Sequence, residues 1–179
     1  MRFAAETEMR EQLDARELAE HPIPTSAVAP EPMVFDPGRL HVGFCWRGTA
    51  HAKSMEFRDV FPLIGGIRRI TVHCLQKGWV CTHARQRTQA HRLADWPATS
   101  NVIAGCDVIV TIDSKVAHVA GLLRVRTVLL LNANAQSAVW GTGRTTPLYP
   151  SMTILRGSMT IRRDLAAAVR EAAITRTSA

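Results

Sequence analysis

The segment DVIVTIDSKVAHVAGLL, residues 107–123, gathers the residue types that bind a phosphate group. Asp113 closes a buried apolar strand, and Ser114 stands where it can cap a helix running from about Lys115. The amino end of such a helix leaves unbonded N–H groups and the positive end of its dipole facing outward, which attracts an anion. Lys115 adds a formal charge there, and His118, one turn along, reaches the same side. The same positions also read as a turn aspartate, a plain helix cap and a satisfied core histidine, so this unit alone leaves both readings open.

Three further places carry candidate chemistry. The stretch GFCWRGTAH, residues 43–51, is a strand opening into a loop with Gly48 at its turn, and Arg47 and Lys53 are suitable phosphate partners. It matches neither GxGxxG nor GxxxxGK[ST], so its signal as a phosphate loop is weak. Gln76 and Lys77 follow a second strand, where a solvated turn is the ordinary reading. The long connection from Asn132 to Ser151 holds Trp140, which can cover a base or sugar or simply pack inside. His73, Cys74, Cys81 and His83 are metal-ligand types, but their spacing matches no common zinc module and neighbours on a strand point to opposite faces. No metal site and no tightly bound cofactor is expected, and the other cysteines, Cys45 and Cys106, read as buried thiols.

These residues need a scaffold, and the pattern supplies one. From Arg39 onward, short β-branched and Leu-rich runs alternate with helical stretches, which predicts an α/β domain of the Rossmann-like kind. Strands are expected over Leu40–Trp46, Arg69–Leu75, Asp107–Ile112, Arg126–Leu131 and Met152–Leu155. Helices are expected over Met55–Ile64, Pro97–Gly105, Ser114–Leu123 and Arg163–Ile174, and the stretch from Leu75 to Arg92 is left unassigned. Near-continuous apolar runs indicate a mostly parallel sheet of about five to six strands with helices on both faces. Ligands of such sheets lie beyond the carboxyl ends of the strands, where all four candidate places fall. Residues 1–38 read as a separate lead-in, a polar helix over 6–20 followed by an extended segment with five prolines, and 39–179 as the domain.

The charge of +7 is uneven, because residues 1–38 hold three Arg against eight acids and the remainder therefore carries +12. A basic body suits a phosphate-bearing ligand. Nucleic acid fits less well, since 19 of the 22 basic residues are dispersed Arg and only one Tyr and five Phe are available for stacking. No apolar run spans a bilayer and no signal peptide is apparent at the start, so the cytoplasm is the expected location.

Taken in order, VGFCWRG, LQKG, DVIVTIDSKVAHVAGLL, TVLLL, Trp140 and PLYPSM resemble the C-terminal domain of heptosyltransferase-like bacterial glycosyltransferases. The likeness is greatest to the version fused to tetratricopeptide repeats, whose pattern runs roughly VGxxWxG, SLQ, DxVIxVDTxxAHLAGAL, a Trp-bearing loop and SPWYPS, and it covers about residues 39–157. The resemblance implies one half of a two-Rossmann GT-B enzyme, the half that holds a nucleotide-diphosphate sugar such as an ADP- or UDP-sugar. It places Asp113, Ser114 and Lys115 on the donor-phosphate turn, His118 on the helix histidine, Gly48 on the first-strand loop and Gln76 on the loop after the second strand. Lys115 departs from the small residue usual in that turn, and the loop Ala50–Ser54 is shorter and less polar than the family's.

The half that binds acceptor and supplies the general base is not expected within residues 1–38, so catalytic residues stay unassigned. A separately encoded acceptor-binding domain or self-association would complete such an enzyme. The competing expectations are a non-catalytic, degenerate interaction or sensing module, which Lys115 favours, and a basic nucleic-acid-binding domain.

Overall fold

The computed structural model of the chain describes residues 30–48, 53–78, 88–132 and 138–174. The polar helix expected over 6–20 lies outside these residues, as do Cys81 and His83. The five apolar runs form strands β1 (Leu40–Cys45), β2 (Ile70–Cys74), β4 (Val108–Ile112), β5 (Thr127–Leu131) and β6 (Met152–Arg156). A further short strand, β3 (Thr88–Ala90), occupies the stretch that the sequence pattern leaves unassigned. It carries no buried residue, so it has no apolar run to announce it.

Among the described residues four helices accompany the strands: α1 (Phe57–Gly65), α2 (Trp96–Gly105), α3 (Lys115–Leu122) and α4 (Ser158–Ile174). The start of α2 is fixed locally, with Asp95 Oδ1 accepting the Ala98 N–H at 2.8 Å and Pro97 in the first turn. The closing helix begins five residues before the expected Arg163, because Gly157, at φ 77°, turns the chain directly out of β6.

All neighbouring strands run parallel in the order β3-β2-β1-β4-β5-β6. This is the doubly wound Rossmann order. Alternation along each strand divides the core by face. Val42, Phe44, Val72, Val110, Val128 and Leu130 pack with residues of α1 and α4 such as Ile64 and Leu165. Cys45, Leu75 and Ile109 pack on the other face with α2 and α3, through Val102, Ile103, Val116 and Ala120. Leu129, Leu131 and Ile154 meet Trp140 and Tyr149 there. Truncating one fully buried member such as Leu129 or Ile112 to Ala costs about 2–5 kcal/mol.

The described part of the lead-in makes contacts with the domain. Met33 N donates to Asn101 O at 3.0 Å, Glu31 N donates to Asn101 Oδ1 at 3.0 Å, and Phe35 stacks on His73. Residues 30–38 are thus laid against α2 and the sheet.

Candidate functional site

In sheets of this strand order the ligand crevice is expected at the switch point between β1 and β4. The chain leaves β1 toward β2 on one side and returns to β4 on the other, which puts the loops after β1 and β4 on either side of that point. Gly48 lies in the first loop and Asp113 and Ser114 form the turn after the second. The loop after β1 is closed at its base by Met55 N donating to Trp46 O at 2.8 Å and by Gly48 N donating to Ser54 Oγ at 3.2 Å. A methyl group at Gly48 would stand 3.5 Å from Ile112 Cδ1 and 3.7 Å from Asp113 O, so the two loops abut.

Asp113 is buried and does not face the crevice unpaired. Its Oδ2 lies 2.5 Å from Lys53 Nζ, with side-chain exposures of 8% for Asp113 and 40% for Lys53. The pair spans the crevice from one loop to the other. It neutralises the carboxylate that would otherwise repel a phosphate while leaving the ammonium reachable from solvent.

Ser114 occupies the cap position of α3, at φ −156° and ψ 167°, yet its side chain makes no cap bond. Instead Ser114 Oγ lies 3.2 Å from Thr111 Oγ1, whose own hydroxyl donates to Ile112 O at 3.1 Å. With that proton committed, Ser114 must donate to Thr111. The expected side-chain cap is therefore replaced by a bond back into the sheet, and Ser114 meets the first turn of α3 only through its backbone, its carbonyl accepting the Ala117 N–H at 2.9 Å. Lys115 is exposed in this first turn. Cys45 lies beside Ser114 and Thr111, and burial raises its thiol pKa, keeping it protonated.

His118 is half-buried, one turn into α3. Its ring stacks on Trp140 at 4.8 Å between centroids, and Nδ1 lies 3.1 Å from Tyr149 Oη. Burial lowers its pKa, with Asp113 opposing and Lys53 adding to the shift, so the ring is neutral near pH 7. Tyr149 is locked in turn by Gly121, where any side chain would overlap the phenol ring. Trp140 is fully buried and its Nε1 has no hydrogen-bond partner among the described residues. It supports His118 from beneath and presents no open face on which a base or sugar could stack.

Gln76 is more than a solvated turn residue. Its Oε1 accepts the Arg47 N–H at 3.0 Å and faces Cys45 Sγ at 3.8 Å, which ties the loop after β2 to the loop after β1. Arg47 and Lys77 are exposed. Gly48, Lys53, Asp113, Ser114, Gln76 and Arg47 thus meet at the carboxyl ends of three adjacent strands, while Trp140 lies beneath and Lys77 stands further out. Sequence reasoning did not single out Thr111, Cys45 or Tyr149. Of these, Tyr149 had a signal, because PLYPS and a helix glycine at Gly121 belong to the same ordered set. Among the described residues no group of three or more His, Cys, Asp or Glu is placed to hold a metal ion. Cys74 lies on the face opposite His73, as strand alternation requires.

No protein-family model matches the chain, and no curated protein does. Its fold is similar to solved structures of two E. coli enzymes. One is ADP-heptose lps heptosyltransferase II, at 17% identity and a TM-score of 0.52, over 76% of this chain and 48% of that one. The other is heptosyltransferase WaaC, seen with ADP at 13% identity and 0.51 over 75% and 46%, and with ADP-2-deoxy-2-fluoro heptose at 16% and 0.51 over 82% and 45%. The chain thus spans less than half the length of these enzymes. At this identity the likeness is one of fold: a Rossmann-like α/β domain of the kind found in heptosyltransferases.

Proposed function

We propose that the crevice between β1 and β4 binds a nucleotide-diphosphate sugar, an ADP- or UDP-sugar, and that the chain acts as the donor-binding half of a glycosyltransferase. The observation that carries this reading is the Lys53–Asp113 pair across the switch point of a Rossmann sheet, beside a helix start that the Ser114 side chain does not cap. The WaaC structures, one with ADP and one with ADP-2-deoxy-2-fluoro heptose, support it from outside the chain. The expected pattern match to the C-terminal, repeat-associated domain belongs to the same proposal, as does a cytoplasmic location. Among the described residues no helix is long and apolar enough to cross a membrane.

Glycosyl transfer breaks the bond between the anomeric carbon and the diphosphate oxygen and leaves negative charge on the diphosphate. The α3 amides, Lys53 and Lys115 would meet that charge. Neutral His118, oriented by Tyr149, would sit beside the sugar-phosphate junction as a hydrogen-bonding group. The acceptor hydroxyl must lose its proton to a base, which we assign to a second domain or partner.

Calorimetric titration with ADP, UDP and their sugars tests the reading. Binding that weakens in Lys53→Met is expected, and an absence of binding to all of them overturns it. One observation favours a degenerate, non-catalytic module instead: Lys115 fills a position at the helix end where a small side chain would leave the amides open. That reading predicts no titration heat and no effect of Lys115→Gly on sugar-nucleotide affinity. Binding to nucleic acid, by contrast, would fall steeply with salt.

A further inference from the structure

Away from the crevice, three imidazoles run nitrogen to nitrogen across the edge of the sheet. His41 of β1 places Nδ1 2.8 Å from Nε2 of His73 on β2, and His73 Nδ1 lies 2.8 Å from Nε2 of His91, which follows β3. The string ends on the lead-in, where His41 Nε2 is 2.7 Å from the Asp36 carbonyl oxygen. Phe35 covers it, its ring centroid 4.0 Å from that of His73 and 4.9 Å from that of His41. His73 has no exposed surface.

The end point fixes the protons. A carbonyl only accepts, so His41 Nε2 must donate to Asp36 O. Neutral His41 then offers a bare Nδ1, which accepts from His73 Nε2–H, and the same step makes His91 Nε2–H donate to His73 Nδ1. All donation in the neutral string runs toward the lead-in. One added proton fits on Nδ1 of His91 without disturbing a bond. A second does not fit: on His73 Nδ1 it would face the N–H of His91, and on His41 Nδ1 the N–H of His73. A separation of 2.8 Å suits a shared proton, whereas two nitrogens on one tetrahedral metal at about 2.0–2.1 Å would stand about 3.3 Å apart.

The charges around the string are of both signs, and none of them lifts the clash of N–H against N–H. Just before β1, Arg39 donates to Thr71 Oγ1 and Ile70 O. The carboxylate of Asp107, between α2 and β4, accepts the His41 N–H, and that of Asp36 on the lead-in accepts the Gly38 N–H. Cys106, at the end of α2, is a buried thiol, and Arg92 beside His91 is a further cation. Burial, followed by the neighbouring His91 and His41, lowers the His73 pKa to about 3, and burial lowers that of His91.

We propose that His41, His73 and His91 form an acid-released latch that holds residues 33–36 against the sheet and opens when the string takes up its second proton. Opening frees the Phe35 ring and the Met33 amide from α2 while the central strands stay paired.

Hydrogen exchange on the full chain, followed by NMR from about pH 7.5 to 4.5, tests this. After correction for intrinsic exchange, protection of the Met33 amide should fall about tenfold or more on acidification, while Val110 and Leu129 keep theirs. In His73→Phe, which retains an aromatic ring under Phe35 and removes the string, Met33 protection should no longer depend on pH. Should that variant fail to fold, nitrogen spectra of the wild-type imidazoles decide, with all three expected as Nε2–H tautomers near neutral pH. Met33 protection that persists until β4 and β5 open, or an Nδ1–H tautomer on neutral His73, overturns the latch.

Discussion

The ion pair between Lys53 and Asp113 makes a prediction in which the two single substitutions are unequal. Lys53 is 40% exposed, so when its partner is lost the ammonium can turn into water, whereas Asp113, at 8%, cannot rehydrate. Asp113→Asn keeps the shape and a hydrogen-bond acceptor and should cost only about 0.5–1 kcal/mol, the range of a partly exposed pair. Lys53→Met strands a buried carboxylate and should cost about 1–3 kcal/mol, below the 3–5 of a fully buried pair because Lys53 is half in solvent. The double substitution Lys53→Met with Asp113→Asn should recover most of the larger loss. Guanidinium unfolding followed by the fluorescence of buried Trp46 and Trp140 reads these differences, and a thermal scan should show roughly 2–4 °C per kcal/mol. Equal costs, or a double variant no better than Lys53→Met, would refute the view that Asp113 depends on Lys53.

Gly121→Val should cost about 1–3 kcal/mol, because the added side chain overlaps Tyr149, and the displaced phenol should be visible as a changed His118 imidazole resonance. Stability should fall on mild acidification: unfolded His73 binds a proton near 6.5 but folded His73 only near 3, so between these values the unfolded state holds more protons. Denaturant midpoints that stay level or rise from about pH 7 to 5 would contradict this, since His118, also lowered by burial, acts in the same direction. Cys45 and Cys106, buried and with raised pKa values, should resist iodoacetamide in the folded protein and react after unfolding, as located by mass spectrometry.

The sheet was legible because its strands are buried on both faces, and runs such as VIVTI and TVLLL leave little alternative. Thr88–Ala90 was not, because an edge strand of three residues, none of them buried, has no periodicity to read. At the candidate site, the positions after β1 and β4 could be named from the rule that ligands lie at strand ends, but their bonds could not. Ser114 has the composition and place of a cap, and only the proximity of Thr111 decides that its hydroxyl turns inward. The histidine string was equally hidden, since its members come from two strands and the residue after a third and acquire meaning only when the sheet aligns them.

The central place of β1 has a kinetic consequence. Its first neighbour in folding, β2, is nearby in sequence, but its other flank is closed only when β4 arrives, and His41 meets Asp107 from 66 positions away. Loop closure on that scale must precede the contacts that reward it, so the chain should refold slowly, through a species in which the β1–β2 unit is formed with one edge still open to pairing by another molecule.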